Sequence, residues 1–124
     1  MPVRSANAEW RGDLPGGRGT VKTESGALDG AYSFASRFQE GTGTNPEELI
    51  AAAHAGCFSM ALSNGLAKAG FTPTSVRTRA AVHLGKMGEG MGITRIDLHT
   101  EAEVPGIDES RFQEEARAAK EGCP

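Results

Sequence analysis

The chain has 124 residues, 38% hydrophobic and 6% aromatic content and 17 glycines. That predicts one small domain, residues 1–124, whose core is thin enough to favour burial against a second copy of itself. A formal net charge of −3 excludes the basic face a nucleic-acid binder needs. The first ten residues lack the apolar segment of a secretory signal. The apolar run from Leu49 to Leu66 is interrupted by His54, Ser59, Ser63 and Asn64, short of the roughly 18 uninterrupted apolar residues of a membrane span. A cytoplasmic chain with no membrane partner is therefore expected, and in a reducing compartment its two cysteines are free, metal-bound or catalytic rather than a permanent staple.

Along the chain, the first third reads as short strands punctuated by glycine. Ser5 to Arg11 is one strand, ended by Gly12-Asp13 and Pro15-Gly16-Gly17, and Thr20 to Glu24 is a second. Ala31 to Phe38 alternates, with Tyr32, Phe34 and Phe38 on one face and Ala31, Ser33, Ala35 and Arg37 on the other, and predicts a third strand. A helix then opens with Asn45 as N-cap, Pro46 at the first helical position and Glu48 in the capping-box place; Thr44 with Glu47 is an equally legal box. It runs to Ala69, stops at Gly70 and, being apolar almost all round, demands burial on most sides. Ser75 to Leu84 and Ile93 to Val104 alternate core-facing and wet residues, joined by a glycine-bearing connection from Gly85 to Gly92. A final helix starts near Asp108 and ends at Gly122. The order is βββ-α-ββ-α, an antiparallel α+β arrangement.

Chemistry centres on two cysteines. Cys57 lies 11 residues after Pro46, beyond the first turn where the helix dipole favours an anion, so a thiolate there needs an external cation. Arg37 is the candidate, with Arg18 in reserve, and Glu47 suits a bidentate pair that would fix the guanidinium. Glu47 and Cys57 are about 15 Å apart along the helix. If both serve one thiol, a long arginine must span the gap or a second subunit must contribute. Cys123, between Gly122 and Pro124 at a helix end, suits a mobile thiol that swings toward a partner, or a stray exposed cysteine. His54, three residues before Cys57, suggests a Cys-His pair or a metal site, but the cysteines are too scattered for a finger pattern and a hydrogen-bonded core histidine is the favoured reading.

Several motifs resemble the osmotically inducible protein C (OsmC) family. They are Gly43-Thr44-Asn45-Pro46-Glu47-Glu48-Leu49, Ala52-Ala53-His54-Ala55-Gly56-Cys57-Phe58-Ser59-Met60-Ala61-Leu62 and Val104-Pro105-Gly106-Ile107. Thr23-Glu24-Ser25-Gly26, Gly70-Phe71-Thr72-Pro73-Thr74-Ser75 and Gly122-Cys123-Pro124 add to the likeness. Ser36-Arg37-Phe38 and Ala53 to Leu62 resemble the OsmC branch more than the sister organic hydroperoxide resistance proteins.

The resemblance implies an antiparallel sheet wrapped around a buried central helix in an intertwined homodimer, with a further strand after Cys123-Pro124 that this sequence does not contain. It implies a thiol-dependent peroxidase that reduces organic hydroperoxides, and hydrogen peroxide less well, without metal or organic cofactor. By the same resemblance Cys57 is the peroxidatic cysteine, Cys123 the resolving one, Arg37 and Glu47 the activating pair, and a lipoyl-type dithiol the reductant. The sister branch carries its arginine where Arg18 stands. The residues alone leave room for a non-catalytic dimeric stress protein or a redox sensor on the same fold.

Overall fold

The computed structural model describes residues 2–124. They form two compact units that meet between Leu49 and Ile50, inside the long central helix. The element order is β1 (Ala6–Arg11), β2 (Arg18–Thr23), β3 (Asp29–Tyr32), α1 (Phe34–Phe38), α2 (Pro46–Lys68), β4 (Ser75–Met87), β5 (Gly90–Glu103) and α3 (Glu109–Gly122). The expected order is present with one addition, the short helix α1.

In the first unit, β1, β2 and β3 make an antiparallel sheet in that order. Trp10, Gly19 and Tyr32 stand opposite one another across its three strands, and the Trp10 and Tyr32 rings meet at 5.4 Å between centroids. Gly19 permits that closeness, because a Cβ there would lie 2.5 Å from the Tyr32 ring.

The predicted third strand, Ala31 to Phe38, is corrected: the chain leaves the sheet at Tyr32 and turns into α1. Ser33 caps this helix and Ser36 answers it. The Ser36 amide donates to the Ser33 hydroxyl at 3.0 Å, and the Ser33 amide donates to the Ser36 hydroxyl at 2.8 Å. A reciprocal capping box satisfies two helix-end donors at once, which a fourth strand-like pair of residues beyond Tyr32 would leave to water. Arg37 therefore sits on a helix, not on the small-residue face of a strand.

The second unit holds the core. Phe58, Leu62 and Leu66, spaced four apart along α2, are buried with Ala119 of α3. Ala61, Val76, Leu98, Val104, Ile107, Phe112 and Ala116 pack around them. β4 and β5 form a two-stranded antiparallel sheet, in which the predicted alternation of β5 holds: Ile96, Leu98 and Ala102 are half-buried between exposed neighbours. Here the expected connection from Gly85 to Gly92 is mostly strand, since pairing continues to Met87 opposite Gly90.

Across this sheet runs a hydroxyl chain, Ser59 to Thr78 at 2.7 Å and Thr78 to Thr100 at 3.2 Å, which gives the polar face of α2 its partners. At its end α2 closes on Gly70 (φ +96°). The Phe71 amide donates to the Leu66 carbonyl and the Gly70 amide to that of Ala67, the paired bonds of a Schellman stop.

Two sequence expectations about α2 change. At 23 residues, with an 18-residue window of mean hydropathy 1.3, the helix is long and apolar enough by length and composition to cross a membrane. The Ala-rich turns outweigh the four polar interruptions. Nor is it enclosed within one chain: only 17% of that window is buried. Ala52, Gly56, Met60, Asn64 and Ala67 form an exposed stripe opposite the core-facing residues.

Leu62 is fully buried, at 0% exposure. Leu62→Ala is expected to lower the unfolding free energy by about 3 kcal/mol through the lost contacts and the cavity left behind. Met91→Ala, at an exposed position, is expected to stay within about 0.5 kcal/mol. Urea titration of both variants checks the pair.

Candidate functional site

The N-terminus of α2 and the short helix α1 build a fixed arginine in the first unit. Asn45 is the N-cap, its Oδ1 accepting the Glu48 amide at 2.7 Å, but neither expected box closes, because the Glu48 carboxylate accepts from the Thr44 hydroxyl instead of the Asn45 amide. The Asn45 Nδ2 donates to the Ser36 carbonyl at 3.0 Å, and the buried Ser36 hydroxyl donates to the Thr44 carbonyl at 2.7 Å. These bonds tie α1 to the start of α2.

With Glu48 engaged by the Thr44 hydroxyl at 2.8 Å, Glu47 is left to face Arg37. The guanidinium grips it twice, Nε to Oε1 at 3.0 Å and Nη2 to Oε2 at 3.1 Å. The fork is the bidentate pair the sequence suggested, and it fixes a guanidinium whose side chain is 38% exposed. The Phe38 ring lies 5.1 Å beneath it. Arg37 lines a cavity of about 410 Å³ with Trp10, Leu14, Tyr32, Phe34 and Phe38, an apolar wall with one cation. Arg18, the reserve arginine, opens β2 at an exposed position and enters no ion pair among the described residues. Sequence reading missed Ser36 and its network; the Ser33-x-x-Ser36 spacing was the available signal.

In the second unit the two cysteines meet. Phe112, Ala116 and Ala119 carry the core face of α3, and Asp108 caps its start by accepting the Arg111 amide at 2.8 Å. At the other end Cys123 is the C-cap, its amide donating to the Ala119 carbonyl at 3.0 Å. Ala119 is buried against α2, so the last turn of α3 is pinned and the Cys123 side chain arrives at α2 in a defined place.

Its thiol donates to Cys57 Sγ at 2.6 Å. Both sulfurs are half-buried free thiols. They need to close by only about half an ångström to reach the bond length of about 2.05 Å. The swinging thiol anticipated from the Gly122 neighbour is unnecessary, because the backbone at Cys123 is already bonded and its sulfur already in contact.

The contact orders the two thiols. Donation to the Cys57 sulfur, then desolvation, then the negative charge Cys57 can carry hold the Cys123 pKa above its ordinary 9.0. A hydrogen bond donated by a thiol favours its protonated form. The arrangement keeps Cys123 in its thiol form.

Both sulfurs line a cavity of about 500 Å³ with Ile50, Ala53, His54 and Pro124. Its walls are apolar apart from the sulfurs and His54. His54 is half-buried, but the hydrogen-bonded core histidine expected from the sequence is not what stands there: no protein group bonds its ring among the described residues. Among those residues there is also no cluster of three or more His, Cys, Asp or Glu placed to hold a metal ion. A thiol pair on a cavity wall can pass to a disulfide when an external oxidant takes up two electrons, and the largely apolar lining admits an organic group.

Comparison with known proteins places the chain among relatives. Residues 39–124 match the family model of OsmC-like proteins. The peroxiredoxin OsmC of Escherichia coli is 55% identical over 122 residues, covering 98% of this chain and 85% of its own length. The organic hydroperoxide resistance protein OhrB of Bacillus subtilis is 35% identical over 111 residues, 88% of this chain and 80% of its own. The crystal structure of that OhrB protein superposes with a TM-score of 0.69 at 28% identity, covering 97% of this chain and 86% of that one. An OsmC-like protein of unknown function from Vibrio cholerae shares the fold, with a TM-score of 0.77 over 99% of this chain and 90% of its own at 19% identity. With the family match spanning both cysteines and Glu47, the chain belongs to the OsmC-like protein family.

Proposed function

We propose that this chain is a cysteine-based peroxidase that reduces organic hydroperoxides to alcohols, and hydrogen peroxide less well. The observation that carries the reading is the thiol pair, two free sulfurs 2.6 Å apart on the wall of an apolar cavity. The names of its relatives, a peroxiredoxin and an organic hydroperoxide resistance protein, support the same reaction class.

In the proposed cycle the Cys57 thiolate attacks the terminal peroxide oxygen. The O–O bond breaks, the alkoxide leaves as alcohol on taking a proton, and Cys57 becomes a sulfenic acid. Cys123 attacks that sulfur, releasing water and forming the Cys57–Cys123 disulfide. An external dithiol of the lipoyl type reopens it by exchange. The proximity of the two sulfurs favours fast closure, which protects Cys57 from further oxidation.

The proposal gives the Arg37–Glu47 fork the task of favouring the thiolate and the leaving alkoxide. A guanidinium held by two charge-assisted bonds is preorganised for such work and costs no reorganisation during reaction. No cofactor is needed for any step, and the reducing environment of a cytoplasm supplies the dithiol.

The exposed stripe of α2, with Met60 at 76% exposure and Ile50 at 39%, supports a homodimer in which a second copy covers it. A stripe of Ala and Gly flanked by Met and Ile is suited to close helix approach, and its burial would add core that one thin chain lacks.

Three outcomes follow. With cumene hydroperoxide and dihydrolipoamide, the protein is expected to consume peroxide over many turnovers; Cys57→Ser is expected to abolish consumption, and Arg37→Lys to lower kcat/KM roughly 10²-fold. Peroxide assay of the three proteins checks this, and a wild type that is folded but consumes none would end the reading.

For the thiols, the raised pKa of Cys123 means that its proton is retained as pH climbs through 9.0. The stability this brings is present below the ordinary pKa and lost as pH rises through the folded one. Cys57→Ala removes the acceptor, so the Cys123 titration, followed by thiolate absorbance, is expected to move down toward the ordinary value.

For assembly, light scattering is expected to give a dimer mass for the wild type. Met60→Lys, which sets a charge in the covered stripe, is expected to shift the mass toward monomer.

A further inference from the structure

Resolution of the sulfenic acid has a proton problem that the thiol pair cannot solve alone. In the closing step the S–O bond of Cys57 breaks, an S–S bond forms, the Cys57 sulfur is reduced and the Cys123 sulfur is oxidised. The Cys123 proton must leave its sulfur, and the departing hydroxyl must gain a proton to go as water. The step balances as one sulfenic acid plus one thiol giving one disulfide plus one water. It needs a group that accepts a proton on one side and supplies one on the other.

We propose that His54 is that group, the proton carrier between the Cys123 thiol and the hydroxyl leaving Cys57. This inference rests on the peroxidase reading and assigns a residue to its second step. His54 and Cys57 are three residues apart on α2, on adjacent positions of one helix face, and both line the 500 Å³ cavity together with Cys123. Apart from the two cysteines, His54 is the sole titratable side chain among the residues that line it.

Its imidazole is uncommitted. Among the described residues no protein group bonds the ring, and no side-chain nitrogen or oxygen cut off from solvent lacks a partner, so its nitrogens remain open to water. Neutral imidazole carries one N–H and one lone pair, which lets the same ring take the thiol proton and deliver another to the leaving oxygen, directly or through a water. The need is sharpened by Cys123 itself, whose donated hydrogen bond to Cys57 holds its proton in place. The other two histidines are elsewhere in use or on the wet sheet face: His83 bonds Asp97 at 2.8 Å, and His99 is exposed on β5.

The test separates the two chemical steps. Reduced wild type, His54→Gln and His54→Ala are each mixed with one equivalent of cumene hydroperoxide. Quenched samples are read for alcohol released, for Cys57 sulfenic acid trapped by a dimedone-type reagent, and for the Cys57–Cys123 disulfide by mass spectrometry. The alcohol burst is expected to reach one per chain in all three proteins. Disulfide closure is expected to slow roughly 10²-fold in both variants, with trapped sulfenic acid accumulating, and added imidazole is expected to restore closure in His54→Ala, where the missing ring leaves room.

Closure at the wild-type rate in His54→Gln would overturn the assignment. So would slow closure that imidazole leaves untouched, or loss of the burst in the variants, which would put His54 in folding or in the first step. A wild type that gives no burst removes the peroxidase reading itself, a result distinct from any of these.

Discussion

The structure of the thiol site depends on one packing contact, the burial of Ala119 in the last turn of α3 against Phe58, Leu62 and Leu66 of α2. Those three residues repeat every fourth position, so their stripe winds slowly around the helix, and Cys57 sits beside its first member. On α3, Phe112, Ala116 and Ala119 are four and three residues apart and share one face, and Cys123 follows about one turn after the last. Two helices docked through these stripes carry their cysteines to one place without either residue taking part in the docking. Small residues at Ala116 and Ala119 let the helices approach, and a larger side chain at Ala119 would hold the sulfurs apart.

A second constraint works in the first unit by hydrogen bonds rather than apolar area. Ser36 is the buried polar residue there, and its hydroxyl and carbonyl both reach residues at the start of α2. Every one of these bonds is short-range in sequence, closing a loop of fewer than a dozen residues at small entropic cost. The result is a guanidinium clamped by Glu47 at the mouth of an aromatic-walled cavity. The two units thus prepare different chemical resources: a polarised sulfur pair in one, a fixed cation with an apolar wall in the other.

Much of this was legible in the residues, and the failures have physical causes. The Asn45-Pro46-x-Glu48 cap, the Gly70 stop, the Asp108 start and the alternation of β4 and β5 are local signals, and local signals survive folding. The Arg37–Glu47 pair was legible because both groups are long, charged and ten residues apart across a turn. The strand predicted from Ala31 to Phe38 was not realised, since the Ser33–Ser36 box offered its backbone donors a better bargain than an edge strand. The contact between Cys57 and Cys123 spans 66 residues and follows from the docking of α2 on α3, which no local pattern encodes; the family likeness pointed to it. The role expected for His54 changed for the same reason, because only the assembled cavity reveals that its ring has no bonding partner.

The central claim is that the resting contact between the sulfurs becomes a bond when peroxide arrives. Peptide mapping by mass spectrometry, after one equivalent of an organic hydroperoxide at a concentration dilute enough to disfavour encounters between chains, tests it most directly. The account predicts a linked pair of peptides carrying Cys57 and Cys123 of the same chain, two hydrogens lighter than the reduced pair. Cys57 recovered as sulfinic acid beside an unmodified Cys123 thiol, or a disulfide joining two chains, would contradict it.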